Sequence, residues 1–226
     1  MLLHLSGDLM NPSASVMTLL RLTELRATPL VPEVLLHLMP AACEFEEFRN
    51  QVEPIVGAGP PYWCIAWPGG QALARLILDR PELVAGLRVV DLGAGCGICA
   101  IAAAKAGAKA VVAIEPDASA RAICQWNAVR NGVTIDTREG DIGAIDPTAV
   151  DIVTAGDLWY EPYLARRATS ALRQFARGGI LAFAGDPGRA AFPRSGIELI
   201  ASYPLAASEE LERAARIQVG VWRMLA

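Results

Sequence analysis

No stretch of eighteen uncharged apolar residues occurs anywhere in this 226-residue sequence, which argues against a membrane-spanning helix. The first ten residues carry His4 and Asp8 and lack a basic start followed by a long apolar run. They do not read as a secretion signal. Basic residues are not in excess: twenty Lys and Arg stand against twenty-four Asp and Glu, for a net charge of −4. That balance, with a pI near 5.3, argues against a broad nucleic-acid-binding surface. Histidine is scarce, with only His4 and His37. The five cysteines (Cys43, Cys64, Cys96, Cys99 and Cys124) are an odd number in a chain of this size. They point to free thiols in a reducing, cytoplasmic compartment rather than to a disulfide framework. Internal repeats and low-complexity tracts are also absent.

What is present is apolar material, 53% of the residues with a mean hydropathy of +0.33. That suffices for a sizeable core and excludes a disordered chain. The length fits one α/β domain with an additional element. From about residue 86, short β-branched runs alternate with longer helical patterns, the mark of a parallel sheet covered by helices. The spacing predicts strands over 88–91, 110–115, 133–138, 150–155 and 180–184, and helices over 98–106, 117–130 and 161–176. Beyond Gly196 the pattern changes. Residues 196–203 and 215–225 are strand-like, with Ile217, Val219 and Val221 on one face. The stretch between them, Ser208-Glu-Glu-Leu-Glu-Arg, is too short for a crossover helix. An antiparallel edge hairpin follows. Five parallel strands and a hairpin make a seven-stranded, mostly parallel Rossmann-like sheet with helices on both faces.

Residues 1–60 hold six of the fifteen prolines and show no strand–helix alternation. They read as an N-terminal extension packed on the core formed by 61–226, with short helices over 33–39 and 43–52 and a linker at Ala58-Gly-Pro-Pro. A helix over 70–79, stopped by Pro81, leads into the first strand of the large sheet.

The central motif is Val89-Val-Asp-Leu-Gly-Ala-Gly-Cys-Gly. A strand ends in an acid, Asp91, and turns through Gly93, Gly95 and Gly97 into an apolar helix. Glycine suits a tight turn whose backbone lies against a ligand. The dinucleotide fingerprint spaces its glycines G-x-G-x-x-G and sets a pyrophosphate on the helix N-terminus. Here the spacing is G-x-G-x-G with an acid two residues ahead. A carboxylate there repels a diphosphate but suits a cation, such as the ammonium or sulfonium of S-adenosylmethionine. Glu115 ends the second strand, where it can accept from both ribose hydroxyls. Asp141 follows the third strand, where it can accept from an adenine amino group. Each feature alone has an ordinary explanation, a structural turn or a helix cap; their order along three strand ends does not. Cys96-Gly-Ile-Cys99 also spells C-x-x-C, but no second pair or histidine cluster accompanies it. Packing under the turn explains it better than a metal, and no metal ligands are assigned.

The fourth strand ends in Gly156-Asp157-Leu158-Trp159-Tyr160. Ligands in open parallel sheets bind outside the carboxyl ends of the strands, so Asp157 and Tyr160 belong beside a transferable methyl. A lysine amine is almost wholly protonated at neutral pH, a penalty of roughly 4 kcal/mol against its neutral, nucleophilic form. Asp157 can orient that nitrogen and stabilise the cationic product, and a desolvated wall of Trp159 and Tyr160 can lower the amine's pKa. The ordinary alternative is an Asp157 that caps the following helix, with the two aromatics in the core. Enzymes acting on ring nitrogens of nucleic acids commonly carry N/D-P-P-Y/F at this place. Leu158 and Trp159 replace both prolines, which counts against a nucleobase substrate.

With these residues in view, the sequence resembles the lysine methyltransferases of the electron transfer flavoprotein β subunit, particularly bacterial ones. The resemblance runs from about Pro29 to Arg223. It rests on Val31-Pro-Glu-Val-Leu-Leu-His-Leu, Pro61-Tyr-Trp-Cys-Ile-Ala-Trp-Pro-Gly-Gly-Gln, Gly156-Asp-Leu-Trp-Tyr-Glu, Gly185-Asp-Pro-Gly-Arg-Ala and Val221-Trp-Arg. It implies that Asp157 and Tyr160 form a D-x-x-Y motif near a target lysine, and that Trp67 to Gly70, with Trp67 and Gly69 foremost, line the cofactor and substrate mouth. The implied partner is a folded protein, the flavoprotein β subunit. The residues by themselves also admit methylation of a small amine or ring nitrogen, a silent cofactor-binding domain, or, against the glycine spacing, a nicotinamide dehydrogenase.

Overall fold

A computed structural model of the chain describes residues 13–57, 59–141, 150–206 and 217–226. The stretches 1–10 and 208–213 read above, with Ala58, Ala215 and Arg216, lie outside them. Among the described residues, nine strands and six α-helices follow in the order α1 Ala14–Leu22, β1 Glu24–Arg26, β2 Leu36–Leu38, α2 Phe45–Val56, α3 Pro68–Asp79, β3 Arg88–Leu92, α4 Ile98–Lys105, β4 Ala110–Ile114, α5 Ala118–Arg130, β5 Asp136–Arg138, β6 Ile152–Gly156, α6 Pro162–Arg177, β7 Leu181–Asp186, β8 Ile197–Leu205 and β9 Ile217–Met224. The large sheet has the order β5-β4-β3-β6-β7-β9-β8. Strands β3 to β7 pair in parallel, while β9 runs antiparallel between β7 and β8.

The chain leaves β3 toward β4 and β5, then crosses back to place β6 on the other side of β3. That reversal puts the switch point between β3 and β6, where a crevice opens at the strand carboxyl ends. The parallel register sets Asp91 beside Thr154 and Gly156 beside Gly185. Helix α4 is apolar on every face and its first six residues are buried, as a helix covered on all sides must be. Helix α6 is amphipathic instead, burying Ala165, Ala168, Leu172 and Phe175 at helical spacing. Pro162 occupies its first turn, and the Glu161 side chain accepts from the Tyr163 N–H as its N-cap.

The first turn of α3 sits directly on the carboxyl ends of β6 and β7. A Cβ on Gly69 or Gly185 would overlap the other residue's backbone, and one on Gly156 would lie 2.9 Å from the Gly70 backbone. Real Cβ atoms do not come so close, so this contact admits only glycine.

Residues 33–39, expected as a helix, instead contain β2, paired antiparallel with β1. Burial alternates there: Leu36 and Leu38 are buried, while Leu35 and His37 are more exposed. That is a strand period, not a helical one. Other backbone groups of this stretch are taken up by asparagines in and just after α5. Asn127 Oδ1 accepts from the His37 N–H at 2.7 Å, and the Asn131 amide bonds both the N–H and the carbonyl of Leu35. The expected helix over 43–52 exists and continues to Val56. Leu19 of α1 and Phe48 and Val52 of α2 form a buried cluster with Trp63, Ala120 and Ile123, which joins the extension to α5.

Candidate active site

The crevice at the switch point is a cavity of about 720 Å3. That volume is in the range of sites that enclose a nucleoside-sized ligand. The glycine turn after β3 forms its floor, the ends of β4 and β5 one side, and the end of β6 with the loop after β7 the other.

Gly93, Gly95 and Gly97 all have positive φ, of 64°, 52° and 85°. They serve three different surfaces. A Cβ on Gly93 would meet the Leu158 side chain at 2.6 Å, and one on Gly97 would meet Cys124 Sγ at 2.5 Å. Gly93 and Gly95 line the cavity; Gly97 does not, and its role is to let α4 pack on α5. Beside Gly95 the space stays open, with no atom nearer than 3.9 Å to an added Cβ. Its N–H is not free to hold a phosphate, because it donates to Glu115 Oε2 at 2.9 Å.

Glu115 lies just beyond β4, nearly buried, and its other oxygen accepts from the Asp117 N–H at 3.0 Å. Burial raises its pKa, and the two N–H donors oppose the shift. Asp141 reaches the cavity from the end of β5, where Arg167 of α6 pairs with it at 2.5 Å. Asp91 sits deeper. It borders a narrow cleft of about 40 Å3 that continues the cavity past Trp67, Gly70, Gly93, Gly95 and Asp157. Its carboxylate accepts from Thr154 Oγ1 at 2.7 Å, and burial pushes its pKa up to about 7. Cys96 and Cys99 pack beneath the turn. Burial pushes the Cys96 thiol up to about 12, and Cys99 donates to the Gly70 carbonyl.

Across the cavity, Asp157 follows β6 with φ 60°, the one non-glycine residue among those described with a positive φ. Such a conformation costs energy and marks a position held by its surroundings. The surroundings are identifiable. Asp157 Oδ2 accepts from the Gly70 N–H at 2.9 Å, and Oδ1 accepts from Arg189 Nη1 at 2.6 Å. Burial raises its pKa to about 6, and Arg189 opposes the shift. Asp157 does not cap α6; Glu161 does.

Tyr160 stands at the rim, about half exposed, with its ring centroid 5.3 Å from that of Tyr62. Tyr62 also meets Trp67 edge-on, and Trp67 Nε1 donates to the Tyr62 carbonyl. The aromatic wall is therefore Tyr62, Trp67 and Tyr160. Trp159, expected in that wall, is 1% exposed, packed edge-on against Phe192 in the core with its Nε1 bonded to Thr169. Two side chains can face the same cavity from a strand end only if the backbone turns them together, and here Trp159 turns under the sheet. Gly69, expected at the mouth, lies outside the cavity lining in the α3 contact with Gly185 and Asp157.

Of the ten residues expected at the site, the cavity and its cleft bring together Trp67, Asp91, Gly93, Gly95, Glu115, Asp141, Asp157 and Tyr160. Arg189 and Asp117 line the cavity without having been expected there. The Asp-Pro-Gly-Arg loop reads as ordinary turn chemistry until its arginine is seen against Asp157.

The wall chemistry tests which ligand fits. Glu115, Asp117, Asp141 and Asp157 line the cavity, and Arg189 is the one cation among the described lining residues. With the Gly95 N–H already committed and Arg189 held by Asp157 and Asp186, a diphosphate meets a wall of net negative charge. A cationic nucleoside finds both an acidic wall and an open backbone cradle.

Comparison with known proteins gives the same answer. A protein of Xenopus laevis named electron transfer flavoprotein beta subunit lysine methyltransferase is 35% identical over 210 residues, covering 90% of this chain and 84% of that protein. Its human namesake is 34% identical over 199 residues, covering 85% and 75%. The chain belongs to this family. Residues 72–185 of this methyltransferase also match the family model for ribosomal protein L11 methyltransferase (PrmA). Its fold is that of a Pyrococcus abyssi tRNA (uracil-54, C5)-methyltransferase, with a TM-score of 0.53, 16% identity, and coverage of 84% of this chain and 42% of that one. The enzyme is thus a class I methyltransferase that uses S-adenosylmethionine.

Proposed function

We propose that this methyltransferase modifies a lysine on a folded protein, the β subunit of electron transfer flavoprotein. The observation that carries the reading is Asp157: a buried, braced carboxylate in a strained conformation, facing an acid-lined cavity beside an aromatic rim. The relatives named for that substrate support it. The formal charge of −4 and the two residues that replace the prolines of the nucleobase motif favour a protein over a nucleic acid. The odd count of five cysteines favours a reducing, cytoplasmic setting.

When bound, S-adenosylmethionine supplies an electrophilic methyl on a positive sulfur. Glu115 and Asp141 are the acceptors for its ribose and base. Asp91, with Gly70 and Trp67 across the narrow cleft, suits its charged amino-acid end. Gly95 gives it room. Asp157 accepts a hydrogen bond from the incoming amine, fixes its lone pair, and stabilises the positive charge that appears on nitrogen. Tyr62, Trp67 and Tyr160 close the amine channel against water, which disfavours the ammonium form and leaves ring faces for its methylene stem. Because Tyr160 and Tyr62 are exposed at the rim, the rest of the substrate protein remains outside the cavity.

The test is transfer of labelled methyl from S-adenosylmethionine in the presence of purified electron transfer flavoprotein. Label on one or a few lysines of the β subunit is the expected result. Label confined to small metabolites, or to another protein in an extract depleted of this enzyme, would overturn the substrate assignment.

A further inference from the structure

The loop leaving β7 is built to carry one charge. Asp186 is 1% exposed and accepts the backbone N–H groups of Gly188 and Arg189, each at 2.7 Å. Gly188 adopts a φ of 94°, which closes the short loop on itself. The second oxygen of Asp186 accepts from Arg189 Nη1 at 2.9 Å, and the same nitrogen reaches Asp157 at 2.6 Å. A guanidinium therefore stands between two buried carboxylates that belong to adjacent strands. A mere salt bridge would not need the loop to be wound around its own acid.

The charges explain the arrangement. Asp157 and Asp186 bring two negative charges, and Arg189 returns one. At these two strand ends the remainder is −1, opposite in sign to the single net positive charge of S-adenosylmethionine, whose ammonium and carboxylate cancel; Glu115, Asp117 and Asp141 line other parts of the cavity. We propose that Arg189 is a positioning residue that cancels one carboxylate charge at the β6 and β7 ends, so that donor cation and neutral acceptor amine are held together without trapping the amine as ammonium. Were Arg189 absent, the surplus negative charge would hold the protonated amine, which has no lone pair. As the nitrogen lone pair forms the new N–C bond, the C–S pair stays on sulfur and the positive charge passes to nitrogen, beside Asp157. The transfer moves the positive charge from sulfur to nitrogen without changing the total, so little charge must be created in a desolvated place. This rests on Asp157 facing the acceptor.

The experiment is calorimetric titration of the full chain with S-adenosylmethionine and with its net-neutral counterpart S-adenosylhomocysteine, for the wild type, Arg189→Gln, Arg189→Lys and Asp186→Asn. In Arg189→Gln the preference for the cation over the thioether should rise by about tenfold. Arg189→Lys should keep the wild-type ratio. Asp186→Asn should move the ratio the opposite way, a change of sign that packing damage does not produce. An unchanged ratio in Arg189→Gln would overturn the proposal. Should that variant not fold, Asp186→Asn decides: a shift toward the thioether supports the proposal and no shift overturns it. No acceptor is present in this measurement, so its failure leaves the lysine assignment intact, and label on a different acceptor leaves the ratio test intact.

Discussion

Asp157 carries its role through two hydrogen bonds and a backbone conformation that few residues tolerate. Asparagine tolerates the left-handed region best after glycine and keeps the shape of the side chain. Asp157→Asn should therefore fold, bind S-adenosylhomocysteine within a few fold of wild type, and lose roughly a hundredfold or more in turnover. Single-turnover transfer beside calorimetry separates the two effects; near-normal turnover would remove Asp157 from the chemistry. Asp91 makes a different prediction. Burial holds its pKa at about 7 in the folded chain, against about 3.9 when unfolded. Between those values the folded state binds a proton that the unfolded state has lost. Its contribution to stability is thus complete below about pH 4, falls as pH rises toward 7, and is flat above. Urea midpoints at about pH 5 and about pH 8 should differ by less in Asp91→Asn than in wild type.

At the scale of elements, the site depends on how closely α3 approaches β6 and β7. Gly69 faces the Gly185 carbonyl with no room for a methyl group, whereas the nearest atom to an added Cβ on Gly70 is Ile98 Cγ2 at 3.2 Å, a side-chain methyl that need give only a few tenths of an ångström. Gly69→Ala should cost about 1–3 kcal/mol and displace the Gly70 N–H from Asp157. Gly70→Ala should cost less. Thermal melts of the two variants check the order, and equal melting temperatures would show that the contact is looser than described. The contact also explains why a stretch read as a mouth lining is partly a packing surface. A run of Trp-Pro-Gly-Gly looks like a flexible entrance in isolation, but here the two glycines let a helix end touch two strand ends.

Across the whole molecule, Asn127 ties distant parts together. It is fully buried, receives the His37 N–H of β2, and gives its own amide hydrogen to the Cys96 carbonyl inside the glycine turn at 2.9 Å. Asn127→Leu leaves both backbone groups without partners in the interior. It should destabilise the chain by about 2–5 kcal/mol and weaken cofactor binding along with it. If hydrogen exchange then showed the extension loosened while the glycine turn stayed protected, the two regions would be independent.

The order of strands and helices beyond residue 86, the glycine turn and the acids at successive strand ends were legible in the sequence. Each depends on local spacing: period two for strands, 3.6 for helices, and glycine where a chain must turn sharply. The antiparallel hairpin was also legible, from the shortness of its connection and the alternation of Ile217, Val219 and Val221. Residues 33–39 form a strand and not the expected helix because β1 pairs with them on one side and two asparagines some ninety positions away take up backbone groups on the other, a tertiary demand that overrides local pattern. Nor could spacing show that Trp159 points into the core while Tyr62 takes its place on the wall. Local chemistry determined which strand tips would carry charge. Only the folded chain decided which of those charges meet, because Arg189 and Asp157, thirty-two residues apart, share a bond solely through the pairing of β6 with β7.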